Sequence, residues 1–416
     1  MGYARPAPRV AHVTDAPASS GTPTRAIVAL SFAACGSAAA LRVCDPLLPR
    51  LTTEFGIGLG VAAQSVTAFA IAYGVLQLAY GPIGDRYGKY RVITLACGAS
   101  ALTSLLCGLA ASFEALVLAR LVAGATAGAL IPLSLAWIGD VVPYERRQPV
   151  LARFLLGQMF GISLGQLVGG LGADHWGVQP VFWMLAAWFA ASTVLLWWSR
   201  PLAAAQPATP ASSSARSIVA RFGAVLRVRW ARFVLASVFL EGVLLFGGVA
   251  FIPTHLHTTY GLPLTVAGSM VMLYGVGGMV FAALSTLLVR RLGEPGLATA
   301  GGITLFACVA TIAVSRLGWL AALACLGAGL GFYMLHNTLQ VNATQMAPEQ
   351  RGSSVALFAA SLFLGQSTGV ALGGFAAERA GTQAVLLVAA SAVLVLALAF
   401  AAGRRRLARA AAVAMG

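Results

Sequence analysis

Long apolar runs separated by short polar breaks dominate the chain. They fall at about 26–48, 59–80, 92–112, 114–138, 150–172 and 178–199, and again at about 230–254, 263–289, 297–316, 318–342, 353–376 and 382–402. Each is close to the roughly 20 residues that a helix needs to cross a bilayer. A backbone inside lipid must satisfy its own polar groups, so runs of this length are expected as helices. The pattern predicts an all-α membrane protein with twelve transmembrane helices in two six-helix bundles, 26–199 and 229–402. Residues 1–25, rich in Ala, Pro, Ser and Thr, read as a disordered tail. Residues 200–228 carry Pro201, Pro207, Pro210 and Ser212 to Ser214 and read as a linker. Residues 403–416 read as a basic tail. A cleaved leader is not expected, because the first apolar run is too long for one.

The two halves repeat. A shift of 204 residues lays Pro49 on Pro253, Arg86 on Arg290, Glu145 on Glu349 and Arg147 on Arg351. The same shift lays Gly161, Gly165, Gly169 and Gly170 on Gly365, Gly369, Gly373 and Gly374. With six spans per half, both halves keep the same orientation. Parallel repeats of this kind place a substrate site between the bundles near the bilayer midplane.

Composition strengthens the membrane reading. The chain of 416 residues is 59% hydrophobic and 9% charged, against roughly 25% charged for a soluble domain. A net charge of +15 raises the question of nucleic acid. The positions of the basic residues answer it. With both termini placed in the cytoplasm, 22 of the 27 Lys and Arg lie in the tails, the linker and the cytoplasmic loops or their flanks. Only Arg50, Arg316 and Arg379 fall outside, and Arg42 and Arg120 lie within spans. This is the asymmetry that orients membrane helices. One Lys against 26 Arg, with abundant Ala, points to a GC-rich bacterial genome, hence a multi-pass protein of the inner membrane. The six cysteines sit in apolar runs outside any metal-ligand spacing and read as small hydrophobes.

One polar island stands out, Gly81-Pro-Ile-Gly-Asp85-Arg86-Tyr-Gly88-Lys89-Tyr-Arg91. Its glycines suit a sharp turn between two spans. It resembles the loop motif of the major facilitator superfamily, matching at Gly81, Asp85, Arg86, Gly88 and Lys89. A degenerate copy occupies 290–294, with no acid in the place of Asp85. Leu118-Ala119-Arg120 with Gly124 and Gly128 resembles the family's fourth-helix motif. Gly161, Gly165, Gly169 and Gly170 resemble its fifth-helix antiporter motif, except that Gln166 stands where the motif has proline. Asp45-Pro46-Leu47-Leu48-Pro49 resembles the outer end of the first helix in twelve-helix drug efflux members. The resemblance spans about 26–402 and implies two bundles that rock about a central site, usually driven by protons. It also implies that Asp85 meets the start of the eleventh helix, near Gly352, when the cytoplasmic gate is shut.

Charges are costly in lipid, so each buried one is a functional candidate. Arg42 and Asp45, three apart, share a face. Arg42 lies roughly 24 Å up the first span, and Arg120 lies roughly 10 Å below the outer surface in the fourth. The expectation is an Arg42/Asp45/Arg120 cluster in which Asp45 titrates or forms a static ion pair. Glu241 lies roughly 16 Å deep in the seventh span with no basic helical neighbour. It is expected either to carry a proton or to stay permanently protonated as a structural hydrogen-bond donor. His336, Asn337 and Gln340 on the tenth span are candidates for substrate contact or interhelical glue. Gln64, Tyr73, Gln77 and Tyr274 are candidates of the same kind. The glycine ladder reads as helix packing.

The chain holds no GxxxxGK[ST] phosphate loop, so ATP is not expected as the energy source. No catalytic constellation stands out, and neither enzyme activity nor a cofactor is expected. The leading expectation is a monomeric, proton-coupled exporter of small hydrophobic or drug-like molecules. The alternatives are a proton-coupled uptake symporter or exporter of a sugar or small anionic metabolite, and a non-transporting membrane sensor. The expected partners are the bilayer, a small-molecule substrate and protons.

Overall fold

The computed structural model describes residues 23–200 and 215–415, so most of the predicted N-terminal tail and residues 201–214 of the linker lie outside the described residues. Among the described residues the regular structure is helical throughout. We number the spanning helices α1 Thr24–Arg42, α2 Leu59–Tyr87, α3 Lys89–Gly108, α4 Phe113–Val141, α5 Arg146–Trp176 and α6 Val178–Trp198. The second set is α7 Arg229–Tyr260, α8 264–292, α9 294–314, α10 Gly318–Gln345, α11 351–380 and α12 382–415. The pairs α8/α9 and α11/α12 run on as continuous ribbons. Each is broken by one glycine outside helical geometry, Gly293 at φ 63° and Gly381 at φ 81°. Those conformations place a side chain's Cβ against the backbone, so glycine is the residue that permits the reversal.

Three boundaries differ from expectation. The polar island is mostly helix, since α2 continues through Pro82 to Tyr87 and the turn is the single residue Gly88 at φ 88°. Residues Ala215–Arg227, within the expected linker, form a helix. The basic tail is helical to Met415. Its sequence is mostly Ala and Arg, both strong helix formers, so propensity prevails over the signal of charge.

Both described chain ends lie on one face of the molecule, here the near face. The opposite, far face carries the turns at Gly56, Gly177, Gly261 and Gly381. Each half has its own apolar core. The glycine ladder sets the tightest packing. A Cβ at Gly161, Gly165 or Gly169 would strike the carbonyls of Cys35, Ala39 or Val43 on or just beyond α1. In the second half Gly365, Gly369 and Gly373 meet Phe239, Val243 and Gly247 of α7 in the same way. Both the glycines and their partners coincide under the 204-residue shift. In both halves the ladder lays backbone directly on backbone.

Candidate functional site

Arg42 closes α1 and is 5% exposed. The chain then turns through 43–47, which brings fully buried Asp45 back to it, with Arg42 Nη1 3.6 Å from Asp45 Oδ2. Gln166 of α5 donates from Nε2 to the same Oδ2 at 2.9 Å. The residue that departs from the antiporter motif therefore holds the carboxylate at the end of α1. Arg120 is also buried, but its donors point elsewhere. Its Nε donates to Ser65 O at 3.0 Å and its Nη1 to Ala40 O at 3.1 Å, with Phe69 beneath the guanidinium at 4.0 Å. It ties α4 to the backbones of α1 and α2. The structure thus joins Arg42 to Asp45 and leaves Arg120 as a neighbour bonded to carbonyls.

Arg42 also crosses between the bundles, with its guanidinium 4.2 Å from the centre of the Phe246 ring on α7. Phe246 is the residue that the 204-residue shift lays on Arg42. The contact therefore sits where the two halves meet about their symmetry axis.

Glu241 lies roughly 18 Å along α7, by 1.5 Å per residue, and is fully buried. Its Oε2 shares a hydrogen bond with His336 Nδ1 of α10 at 2.8 Å, while Oε1 has no partner. The imidazole is held between Phe332, stacked at 5.0 Å, and Phe358 at 5.5 Å. A wide turn, Gly242–Phe246, follows Glu241 at once. Widened turns within α-helices often mark functional positions. Here it lies between the carboxylate and the ring that receives Arg42. Buried Tyr274 packs its ring on Phe332 at 5.7 Å, and its hydroxyl has no hydrogen-bond partner among the described residues.

The other candidates separate. Asn337 is half-buried and Gln340 exposed, so the polar stripe on α10 is not one surface. Gln64 is exposed and Gln77 buried. Buried Tyr73 shares a hydrogen bond with Ser37 at 3.3 Å and packs on Phe363 of α11 at 4.7 Å.

The bundles meet toward the far face. Hydrogen bonds cross between them from Gly60 to Glu378, from Leu264 and Thr265 to Asp174, from Thr67 to Ser367 and from Ser163 to Met272. On the near face, Asp85 and Lys89 bond within their own bundle. Asp85 has a 60% exposed side chain and pairs with Lys89 at 3.1 Å, which also reaches Asp140 at 2.7 Å. Arg86 and Arg91 are exposed, and nothing lies within 4 Å of a Cβ built at Gly81 or Gly352. The implied contact of Asp85 with the start of α11 is not made in this state, in which the far face is closed. In the second half, Glu294 is occupied within its own bundle by Arg404 at 2.8 Å and Asn342 at 3.3 Å.

Comparison with known proteins agrees with this architecture. The family model described as Major Facilitator Superfamily matches residues 30–350. The uncharacterized MFS-type transporter YceJ of Bacillus subtilis (strain 168) is 26% identical over 337 residues, 80% of this chain and 84% of that protein. The multidrug export protein EmrB of Haemophilus influenzae is 28% identical over 152 residues, 36% of this chain and 30% of that protein. Among solved structures, the nucleoside transporter NupG aligns with a TM-score of 0.73 at 14% identity, over 92% of this chain and 99% of that chain. The human organic anion transporter MFSD10 aligns at 0.67 and 18% identity, over 91% and 99%. At these identities the structural likeness speaks for the fold.

Proposed function

Given that the chain belongs to the Major Facilitator Superfamily, and so is a multi-pass membrane transporter rather than an enzyme, we propose that it exports small hydrophobic or drug-like molecules in exchange for protons. The observation that carries this reading is the Glu241–His336 pair. It is a carboxyl out of contact with water, held by one imidazole, with its second oxygen unpartnered. Such a pair can take up and release one proton as its surroundings change. Arg42 is offset by Asp45 at 3.6 Å, so the pair brings no net charge to the space between the bundles. That balance, with Phe246, Phe332 and Tyr274 close by, suits neutral or cationic apolar cargo. The multidrug export protein similar to part of this chain supports the same direction.

The basic residues near the ends of the chain support a near face in the cytoplasm of a bacterial inner membrane. The closed far face is then an inward-facing state, and rocking of the two bundles, 26–199 and 229–402, exchanges access.

The test uses the purified protein in sealed vesicles with an imposed pH gradient and a panel of fluorescent cations and neutral dyes. Export coupled to opposite proton movement supports the reading. Uphill movement in the same direction as protons establishes a symporter instead. A second reading, an anionic metabolite as cargo, rests on Arg42 and is supported if only anions move and Arg42→Gln abolishes their transport.

A further inference from the structure

Under the 204-residue shift, Asp174 falls on Glu378 and Gly60 on Leu264. All four take part in the hydrogen bonds that cross between the bundles at the far face. Asp174, at the end of α5, accepts from the backbone N–H groups of Leu264 at 3.1 Å and Thr265 at 2.6 Å, the first residues of α8. Glu378, at the end of α11, accepts from the N–H of Gly60 at 2.6 Å, in the first turn of α2. Each carboxylate belongs to one bundle and caps a helix of the other. Four residues before each acid is a glycine that lets the backbones approach. A Cβ at Gly170 would strike Leu264 O, and one at Gly374 would lie 2.9 Å from the Cα of Gly60. The device is present twice, once on each side of the symmetry axis.

We propose that Asp174 and Glu378 are paired latches that hold the far face shut. Both are exposed at the molecular surface, so neither contributes to an apolar core. The start of a helix carries unsatisfied N–H groups and partial positive charge, and a carboxylate there is favoured over a neutral group. The bond exists only while the bundles meet at this face, so its whole energy biases one state over the other. The near face differs, because its second-half acid Glu294 is paired with Arg404 and Asp85 with Lys89, each within its own bundle.

The inference rests on the rocking reading, and one experiment separates the two. Spin labels at Ala111→Cys and Arg316→Cys, both exposed at the far ends of opposite bundles, report the distance across that face. Transport is measured on the same samples. Asp174→Asn and Glu378→Gln keep shape and remove charge. Each is expected to raise the ratio of far-open to far-closed protein about three- to thirty-fold. The latches share no partner, so the double variant should show about the product of the two ratios. Asp174→Glu should return most of the closed population. Thermal unfolding close to that of the parent protein distinguishes a shifted equilibrium from a damaged fold. Distances unchanged in the double variant, in protein that transports, would overturn the latches. A single distance in every variant with no transport of any compound would overturn the rocking reading as well.

Discussion

Gly165→Ala tests how the glycine ladder supports the site. Gly165 has ordinary helical geometry, so alanine brings no backbone strain of its own. A Cβ there would lie 2.5 Å from Ala39 O and 2.9 Å from Ala39 Cα, where ordinary contact begins at 3.4 Å. The neighbours are backbone and cannot rotate away, so α1 and α5 must part by about 0.9 Å. Overpacking of this kind costs about 1–3 kcal/mol. Gln166 is the next residue, and its 2.9 Å bond to Asp45 stretches to about 3.8 Å, beyond hydrogen-bond length. A bond to a charged group contributes about 1.5–3 kcal/mol. Alanine's better helix propensity returns about 1 kcal/mol. The expected loss is therefore about 1.5–5 kcal/mol. Gly369→Ala meets the Val243 backbone more closely still, but Val370 and Val249 stand in the places of Gln166 and Asp45, so its loss should be the packing part alone. Gly139→Ala, helical with nothing within 4 Å, should be neutral or gain up to about 1 kcal/mol. Tryptophan-fluorescence unfolding in detergent ranks the three. Gly165→Ala as stable as Gly139→Ala would refute the reasoning.

Three other substitutions address the charged groups. Glu241→Gln should abolish transport driven by a pH gradient while leaving substrate exchange without a gradient, and counterflow in vesicles measures both. Arg120→Lys should lower stability by about 1.5–3 kcal/mol in the same unfolding assay, the worth of one charged hydrogen bond, because one ammonium cannot reproduce the fork that reaches Ser65 O and Ala40 O. Asp85→Asn should change the stability of this state by less than about 1 kcal/mol, since its ion pair with Lys89 is exposed. It should nevertheless slow turnover if Asp85 serves the opposite state, and initial rates at saturating substrate decide.

The elements legible in the sequence are those fixed by local pattern. Apolar length located the spans, and the 204-residue shift located the duplicated glycines, because backbone approach requires that one residue type. The buried charges were visible because charge in an apolar run is rare. Partners across the fold were not. His336 lies 95 residues from Glu241 and reads alone as one polar residue on α10. Gln166 reads as a motif departure until Asp45 is seen beside it. Asp174 and Glu378 read as ordinary charges at helix ends, although the shift that aligned the glycines also lays one acid on the other. The polar island departs from its expectation for a different reason. Charge suggested loop, whereas a helix leaving the membrane can carry charge on its last turns and needs only Gly88 to reverse.

The repeat also separates scaffold from chemistry. What coincides under the shift is structural: the glycine ladders, their contacts with α1 and α7, and the two far-face acids. What does not coincide is the central chemistry. Glu241 falls on Ser37, which donates to Ala127 O and shares a bond with Tyr73. Asp45 falls on Val249, Arg120 on Ala324 and His336 on Pro132. Arg42 falls on Phe246, and the two meet on each other at 4.2 Å. A symmetric scaffold lets both bundles tilt by the same contacts, so alternation needs no special element in either. An asymmetric centre gives each half its own task. The first half holds Arg42, Asp45 and Gln166 together, and the second holds Glu241 against His336. With both roles placed in one bundle, rocking would leave them fixed relative to each other. Divided between bundles, the same motion changes the distance between Arg42 and Glu241, so that the proposed proton site would be coupled to which face is open.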